Sequence, residues 1–227
     1  AEVIILDDGY QHWQLHRDLD VVLVDTLNMF GNGSILPRGT LREPLKNLSR
    51  ADLFLLTKCD QSSPISRATL CDQLHRYKPN APIVESIHKP CAFIEIADWY
   101  KNDGSKALPL EALKGQEVMV FSAIGNPSSF EQTMAGEGLQ IAEAIRYPDH
   151  HDYGMVEMQY IMERAISKRV TALVTTGKDA VKIPTEFIYL HREVPLYVLD
   201  MEIQITSGEE AFVKTITTAI EKENKRQ

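Results

Sequence analysis

The sequence is short of several things, and each shortage removes a class of function. Its three cysteines (Cys59, Cys71, Cys91) are odd in number and show no C-x-x-C spacing. That speaks against a disulfide framework or a zinc site and for a reducing compartment. No apolar run approaches the roughly 20 residues that a membrane span needs, and no stretch has the layout of a signal peptide. The chain is therefore expected to be soluble, or at most peripheral to a membrane. Positive charge is in deficit: 24 Lys and Arg against 32 Asp and Glu give a net charge of −8. Bulk charge thus does not point to nucleic acid. Also missing is any G-x-x-x-x-G-K-[ST] loop, whose backbone N–H groups cradle phosphates. There is no internal repeat and no low-complexity tract. What remains is ordinary for a globular protein: 227 residues, 44% hydrophobic and 25% charged, enough for one large domain or two small ones.

The chain is organised around its first dozen residues, Glu2 to Trp13. Val3 to Leu6 is an unbroken apolar run and reads as a strand buried on both faces of a parallel sheet. It ends in Asp7 and Asp8, followed by Gly9. Ligands of open α/β sheets sit outside the carboxyl ends of the strands. Two carboxylates there are costly to desolvate unless a cation meets them. Mg²⁺ is the fitting cation, since one or two carboxylates hold it while phosphates complete its shell. A solvated Asp-Gly turn is the bland alternative. Gln11, His12, His16 and Arg17 place further polar groups close behind. The chain opens with Ala rather than Met and enters this strand almost at once. We therefore expect it to be the C-terminal part of a longer protein.

Asp20–Asp25 and Asp52–Thr57 are further buried strands. Between them runs a Gly-rich loop, Phe30–Glu43, that carries Arg38 and Arg42, and then a short helix over Pro44–Ala51. A helix over Ser66–Tyr77 follows, then strands over Pro82–His88 and Ala92–Trp99 and a polar loop, Lys101–Lys106. A second strand–helix series starts at Glu117. Strands are expected at Val118–Phe121, Gln140–Arg146 and Val170–Thr175, with Phe187–Leu190 and Leu196–Ile205 as candidates. One helix opens at Asn126-Pro127. Another presents Met158, Ile161, Met162 and Ala165 on one face. A last helix carries Phe212, Ile216, Ala219 and Ile220, with Ser207 and Glu210 as a capping box and a fraying charged tail at Glu221–Gln227. The alternation predicts an α/β fold, with a first unit over 1–86, connecting strands over 87–116 and a second α/β unit over 117–227.

Four motifs invite chemical readings. Thr57-Lys58-Cys59-Asp60 follows a strand and matches the [NT]-K-x-D pattern that reads guanine, although a polar turn after a strand gives the same letters. Asp149-His150-His151 suits either a metal-dependent phosphoesterase, with Asp7 and Asp8, or a histidine that helps move a proton; solvated loop histidines are the alternative. Arg38 and Arg42 could clamp a phosphoryl group or be plain surface arginines. Lys178-Asp179 and Lys182, which also follow a strand end, read as a structural ion pair when taken alone.

Seven segments taken together resemble one family, the tetraacyldisaccharide 4′-kinases of lipid A biosynthesis. In order they are Leu6-Asp-Asp-Gly-Tyr-Gln-His-Trp13, His16-Arg-Asp-Leu-Asp20, Gly31-Asn-Gly33, Leu36-Pro-Arg-Gly-Thr-Leu-Arg-Glu-Pro-Leu45, Ala123-Ile-Gly-Asn-Pro127, Pro148-Asp-His-His-Asp-Tyr153 and Thr175-Thr-Gly-Lys-Asp-Ala-Val-Lys182. The resemblance implies a P-loop-kinase-like parallel-sheet core, truncated at its N-terminus, with a second α/β unit and a connecting β-hairpin. It implies transfer of the γ-phosphoryl of ATP, with Mg²⁺, to the 4′-hydroxyl of a lipid-linked glucosamine disaccharide. The place implied is the cytoplasmic face of the inner membrane, with peripheral membrane contact and no nucleic acid. Carried over, Asp7 and Asp8 serve Mg²⁺ and the phosphates, and Glu43 helps hold the metal. Gln11 and His12 lie beside the nucleotide or acceptor sugar, and Arg42 stabilises phosphoryl charge. His150 orients a catalytic carboxylate and keeps it basic, and Asp149 positions His150.

The chain departs from the family in four places. The family's glycine-rich loop and its catalytic Asp, both upstream of Asp-Asp-Gly, have no counterpart here, so the chain is expected to be inactive as a kinase by itself. Gly177 stands where Glu is usual and Thr40 where Pro is usual. A phosphoesterase and a GTP-binding module are the rival readings.

Overall fold

The computed structural model describes residues 3–190 and 193–224. In chain order its strands and helices are β1 (Val21–Asp25), β2 (Leu53–Thr57), α1 (Pro64–Tyr77), β3 (Ile83–Glu95), α2 (Ile96–Tyr100), β4 (Leu108–Pro109) and β5 (Glu117–Ser122). Then come α3 (Pro127–Gly136), β6 (Gln140–Arg146), α4 (Met155–Lys168), β7 (Ala172–Thr176), α5 (Gly177–Ala180), α6 (Thr185–Leu190), β8 (Leu196–Ser207) and α7 (Glu209–Asn224). The chain divides into two units, one of residues 1–88 with 203–227 and the other of residues 89–202.

In the first unit β1 and β2 pair in parallel, Val22 opposite Phe54 and Val24 opposite Leu56. β2 pairs in parallel with β3 through Phe54 and Ile83. Leu53, Phe54 and Leu56 are fully buried, as expected of a strand covered on both faces. α1 starts where Ser63 Oγ accepts the Ser66 N–H at 3.1 Å, with Pro64 in the first turn; a proline there sacrifices no helical hydrogen bond. Its Leu70 and Leu74 pack with Val24, Phe54 and Leu56.

In the second unit β5 separates two apolar layers. Met119 and Phe121 face α4 through Met158, Ile161, Met162 and Ala165, together with Leu173 and Val198. Val118 and Val120 face the other layer, with Phe130, Met134, Ala172 and Val174. The period-2 alternation of a strand sends neighbours to opposite faces, so a strand apolar throughout is covered twice. β5 pairs in parallel with β6 and with β7, and β7 in parallel with β8. The carboxyl ends of β5, β6 and β7 therefore open on the same side, and the loops that leave them carry the second unit's candidate residues.

Most expected elements are present, and three are corrected. Val3–Leu6 has no regular structure and is exposed, Ile4 at 78% and Ile5 at 90%; Glu2 lies outside the described residues. Among the described residues the one ladder partner of β1 is β2, so this run has no strand to lie against, and neighbours rather than propensity supply a strand's stability. The strands expected at Pro82–His88 and Ala92–Trp99 are one 13-residue strand, β3, and Ile96–Trp99 belongs to helix α2 instead. The helix brings Ile96 and Ala97 into the core and ends with Tyr100, whose hydroxyl donates to the Ala180 carbonyl at 2.8 Å. Short β4 pairs antiparallel with β3, Phe93 opposite Leu108. Phe187–Leu190 is helical, because Pro184 sets its entry and accepts the Phe187 N–H at 3.0 Å; a run of four apolar residues does not by itself separate helix from strand. The short helix expected over Pro44–Ala51 is a 3₁₀ helix, Leu45–Arg50. Of the tail expected to fray, Glu221–Asn224 is helical and residues 225–227 lie outside the described residues.

Candidate functional site

The first unit gathers the residues after the Asp-Asp-Gly turn and those of the Gly-rich loop. Asp8 sits in the left-handed region at φ 50° and leads into a 3₁₀ turn, Gly9–Gln11. Asn and Asp tolerate this conformation better than most residues. The Arg42 Nη1 donates to Asp8 Oδ2 at 2.6 Å and to Gln11 Oε1 at 3.3 Å. Both charged side chains stay open to solvent, 59% and 69% exposed. Asp7 and His12 are exposed beside them, and the His12 carbonyl accepts from Arg17 Nη1 at 2.6 Å. A carboxylate, a guanidinium and a carboxamide thus meet on one open face, with the exposed Asp7 next in sequence; such groups suit a phosphate with its cation.

Glu43 is held differently. Its Oε2 accepts from Asn47 Nδ2 at 2.6 Å and Arg50 Nη1 at 3.0 Å, and its Oε1 accepts from Arg50 Nη2 at 3.0 Å. Arg50 lies between two rings, 4.3 Å from the Tyr10 centroid and 4.2 Å from that of Trp13. Its Nη2 also donates to the Tyr10 carbonyl, and the Tyr10 hydroxyl donates to the Asn47 carbonyl at 2.6 Å. The Arg50 hydrogen bonds hold the Glu43 carboxyl below its usual range against the opposing effect of burial, and Asn47 adds to them. A carboxylate has about four lone-pair positions, so roughly one on Oε1 remains for another partner. Among the described residues no three His, Cys, Asp or Glu side chains gather into a metal cluster. Asp7 and Asp8 do fit Mg²⁺, which takes one or two protein carboxylates and leaves its other positions to phosphate and water.

In the second unit the loop after β6 carries Asp149 and His150. His150 is in the left-handed region at φ 64°, its side chain 89% exposed. Its N–H donates to the Ala123 carbonyl at 3.2 Å and to Asp149 Oδ1 at 3.0 Å. Asp149 Oδ2 lies 3.7 Å from His150 Nε2, beyond a hydrogen bond. Gly125 faces Asp149 so closely that an added Cβ would stand 3.3 Å from Oδ2. His151 is turned away into structure: it stacks on Tyr147 at 4.6 Å between ring centroids and meets Glu157 Oε1 at 2.8 Å. Glu157 Oε2 accepts the Gly154 N–H at 2.8 Å. That backbone bond, joined by the His151 contact, keeps the Glu157 carboxyl below its usual range against the opposing effect of burial.

Beneath this loop lies a carboxylate that the sequence disguised. Asp179 is fully buried and, in place of the expected ion pair with Lys178, is held by neutral donors. The Ala123 N–H and the Tyr153 hydroxyl donate to its Oδ1 at 2.8 and 3.0 Å, and the Thr176 hydroxyl donates to its Oδ2 at 2.6 Å. Burial first, then the Asp179 charge, push the Tyr153 hydroxyl far up, so it remains a donor. Thr176-x-x-Asp179 has the spacing of a helix-capping pair, the local signal that could have revealed it. Tyr10, Arg50, Tyr147 and Tyr153 likewise escape sequence reasoning; Tyr10 and Arg50 come from separate short 3₁₀ segments, and Tyr147 and Tyr153 both from the loop after β6. At Thr57–Asp60, Lys58 Nζ is engaged with Asp25 Oδ2 at 2.6 Å.

A family model described as tetraacyldisaccharide-1-P 4′-kinase matches residues 1–221. The tetraacyldisaccharide 4′-kinase of Halothermothrix orenii is 38% identical over 210 residues, which are 90% of this chain and 55% of that protein. That of Elusimicrobium minutum is 38% identical over 210 residues, covering 92% of this chain and 53% of the relative. The chain spans about half the length of the curated relatives it matches. Among solved structures, the crystal structure of LpxK from Aquifex aeolicus in complex with ATP shares the fold. It matches with a TM-score of 0.60 at 24% identity, over 93% of this chain and 56% of that one.

Proposed function

The chain belongs to the tetraacyldisaccharide-1-P 4′-kinase family, and from that premise we propose that it is part of an ATP-dependent kinase for the 4′-hydroxyl of the lipid A disaccharide precursor. The observation that carries this reading is the family match along residues 1–221. The geometry supports it by bringing Asp8 and Arg42, 34 residues apart in sequence, to 2.6 Å on an open face.

In this reading Asp7 and Asp8 hold Mg²⁺, with Glu43 assisting through its remaining acceptor position. Bound Mg²⁺ supplies the charge that offsets the β- and γ-phosphate oxygens. Arg42 stabilises the transferring phosphoryl group, and its bond to Asp8 keeps it poised there. Gln11 and His12 contact the nucleotide or acceptor sugar. His150 orients a catalytic carboxylate and keeps it basic enough to take the proton of the attacking hydroxyl; Asp149 positions His150. The 227 residues contain no G-x-x-x-x-G-K-[ST] loop, so alone they provide no backbone cradle for the phosphates and transfer nothing. The acceptor is lipid-linked, so the enzyme works in peripheral contact with the inner membrane, on its cytoplasmic side. No described helix is long and apolar enough to cross a membrane.

The test is transfer of ³²P from ATP to a lipid A disaccharide acceptor by the complete gene product that carries this chain. His150→Ala and Asp8→Ala should each collapse it. No transfer, with phosphate released from nucleotide esters in a Mn²⁺-dependent, His150-dependent manner, would replace the kinase by the phosphoesterase. Transfer by the 227 residues alone would overturn the claim that they are inactive.

A further inference from the structure

His150 presents a problem of support. Its side chain is almost wholly in solvent, its backbone is in the left-handed region, and its own loop offers few contacts to fix it. Left-handed backbone in a non-glycine residue persists where the surroundings over-determine it. Those surroundings can be traced. The His150 N–H is tied to the Ala123 carbonyl. Ala123 is in turn tied to Asp179 through its N–H. The end of the same loop is tied to Asp179 through the Tyr153 hydroxyl. Tyr153 also packs edge-on against Phe121, Tyr147 and His151, with centroids 5.4 to 5.5 Å apart. One buried carboxylate oxygen therefore collects the loop after β5 and the loop after β6. The other collects Thr176, at the start of the turn after β7.

We propose that Asp179 is the positioning residue of the His150 loop: its carboxylate, joined to Ala123, Tyr153 and Thr176, fixes the backbone that presents Asp149 and His150. Asp179 touches no reacting group. It acts through Ala123 and Tyr153, and no family segment quoted above assigns it that work. The proposal deepens the kinase reading and rests on it only for the consequence on turnover. A fully buried carboxylate with no cation beside it among the described residues is retained where its donors have no other acceptor, and here the donors come from the loop after β5, the loop after β6 and the end of β7. Removing the carboxylate orphans all three. Asparagine keeps an oxygen for Ala123 and Tyr153, and its amide group can donate to Thr176 Oγ1.

Two measurements test this. The first is native-state amide exchange in the 227-residue chain, comparing Ala123 and His150 with Leu173, whose N–H bonds the Pro195 carbonyl within the parallel ladder. Asp179→Ala should speed exchange at Ala123 and His150 by about tenfold or more while Leu173 changes by less than about twofold. Asp179→Asn should restore most of the protection. Tyr153→Phe, which keeps the ring, gives an intermediate effect and serves if Asp179→Ala fails to fold. The second is phosphoryl transfer by the complete gene product, where Tyr153→Phe and Asp179→Ala should lower kcat and leave KM for ATP within about twofold, while Asp179→Asn restores most of kcat. Uniform loss of protection along the ladder, or none at Ala123 and His150, overturns the proposal, as does loss through KM alone. Local loss of protection in a wild-type background that transfers no phosphoryl group upholds the positioning role and refutes the kinase reading instead.

Discussion

Two Arg–carboxylate pairs in the first unit are chemically alike and differ in burial, which makes their energies predictable against each other. Arg42 and Asp8 are 59% and 69% exposed; Arg50 and Glu43 are 25% and 16% exposed. An exposed pair is screened by water and salt, and its coupling should stay below about 0.5 kcal/mol. Arg50→Met keeps an apolar stem between Tyr10 and Trp13 but removes the guanidinium, leaving Glu43 with Asn47 as its remaining hydrogen-bond donor among those described. Stranding a fully buried charge costs about 3–5 kcal/mol. With part of Glu43 still in water the cost should be about 2, and loss of two cation–ring contacts brings the total to about 3 kcal/mol. Adding Glu43→Gln removes the stranded charge and should return about 2 kcal/mol; the coupling energy of the cycle is that recovery plus the cost of Glu43→Gln alone. The assay is urea unfolding followed by far-ultraviolet circular dichroism. At a slope of about 2 kcal/mol per molar urea, Arg50→Met should lower the midpoint by about 1.5 M. Sodium chloride at 1 M should erase the Arg42–Asp8 coupling and leave most of the other. If the two couplings prove equal, burial is not what separates these pairs and the reasoning fails.

Other perturbations have equally definite outcomes. Leu74→Ala empties a fully buried position beside Leu70 and Phe54 and should cost about 3 kcal/mol in the same unfolding assay. Gly39→Ala places a Cβ against the Ser34 carbonyl and the Asn32 side chain; the first is backbone and the second is held by bonds to Ser34 and Arg38, so about 1–3 kcal/mol should be lost, with weakened protection of the Ser34 and Leu41 amides. The lowered Glu43 carboxyl favours its ionised form in the folded state. Its contribution is therefore complete above its ordinary value of 4.5 and is lost as pH falls through the lowered folded value. Wild type should lose stability on acidification below 4.5 more steeply than Glu43→Gln, and parallel curves would refute the linkage.

The fold was legible where the pattern is local and long enough to have one solution. The face Met158, Ile161, Met162 and Ala165 is the buried face of α4, and the strand expected at Gln140–Arg146 has those limits. A 14-residue helix carries several turns of period, so chance and neighbours cannot easily change its reading. Short runs carry no such redundancy. Val3–Leu6 has the composition of a central strand and no strand beside it. Phe187–Leu190 has two adjacent buried residues, and both helix and strand can bury two adjacent residues somewhere. In such runs the deciding facts lie outside the run: a ladder partner, or the proline before it.

The candidate site divides along the same line. Asp7, Asp8, Arg42, Glu43, Asp149 and His150 are nameable from sequence because they stand as polar residues after apolar-patterned runs or in a Gly-rich loop. What each one bonds was not legible, since a hydrogen bond between loops leaves no mark on either loop's sequence. Glu43 is the clearer case. Its neighbour in sequence is Arg42, yet Arg42 bonds Asp8 and Gln11, while Glu43 takes Arg50 from the far end of the following 3₁₀ turn. Arg42 and Glu43 fall in a bend, and nearness in sequence there does not give them a common partner. Asp179 makes the same point from the buried side. Next to Lys178 it reads as half of an ion pair, but an ammonium would have to be desolvated to reach it. Three neutral donors already present at the ends of β5, β6 and β7 satisfy the carboxylate with no second charge to bury, and that is the arrangement the chain adopts.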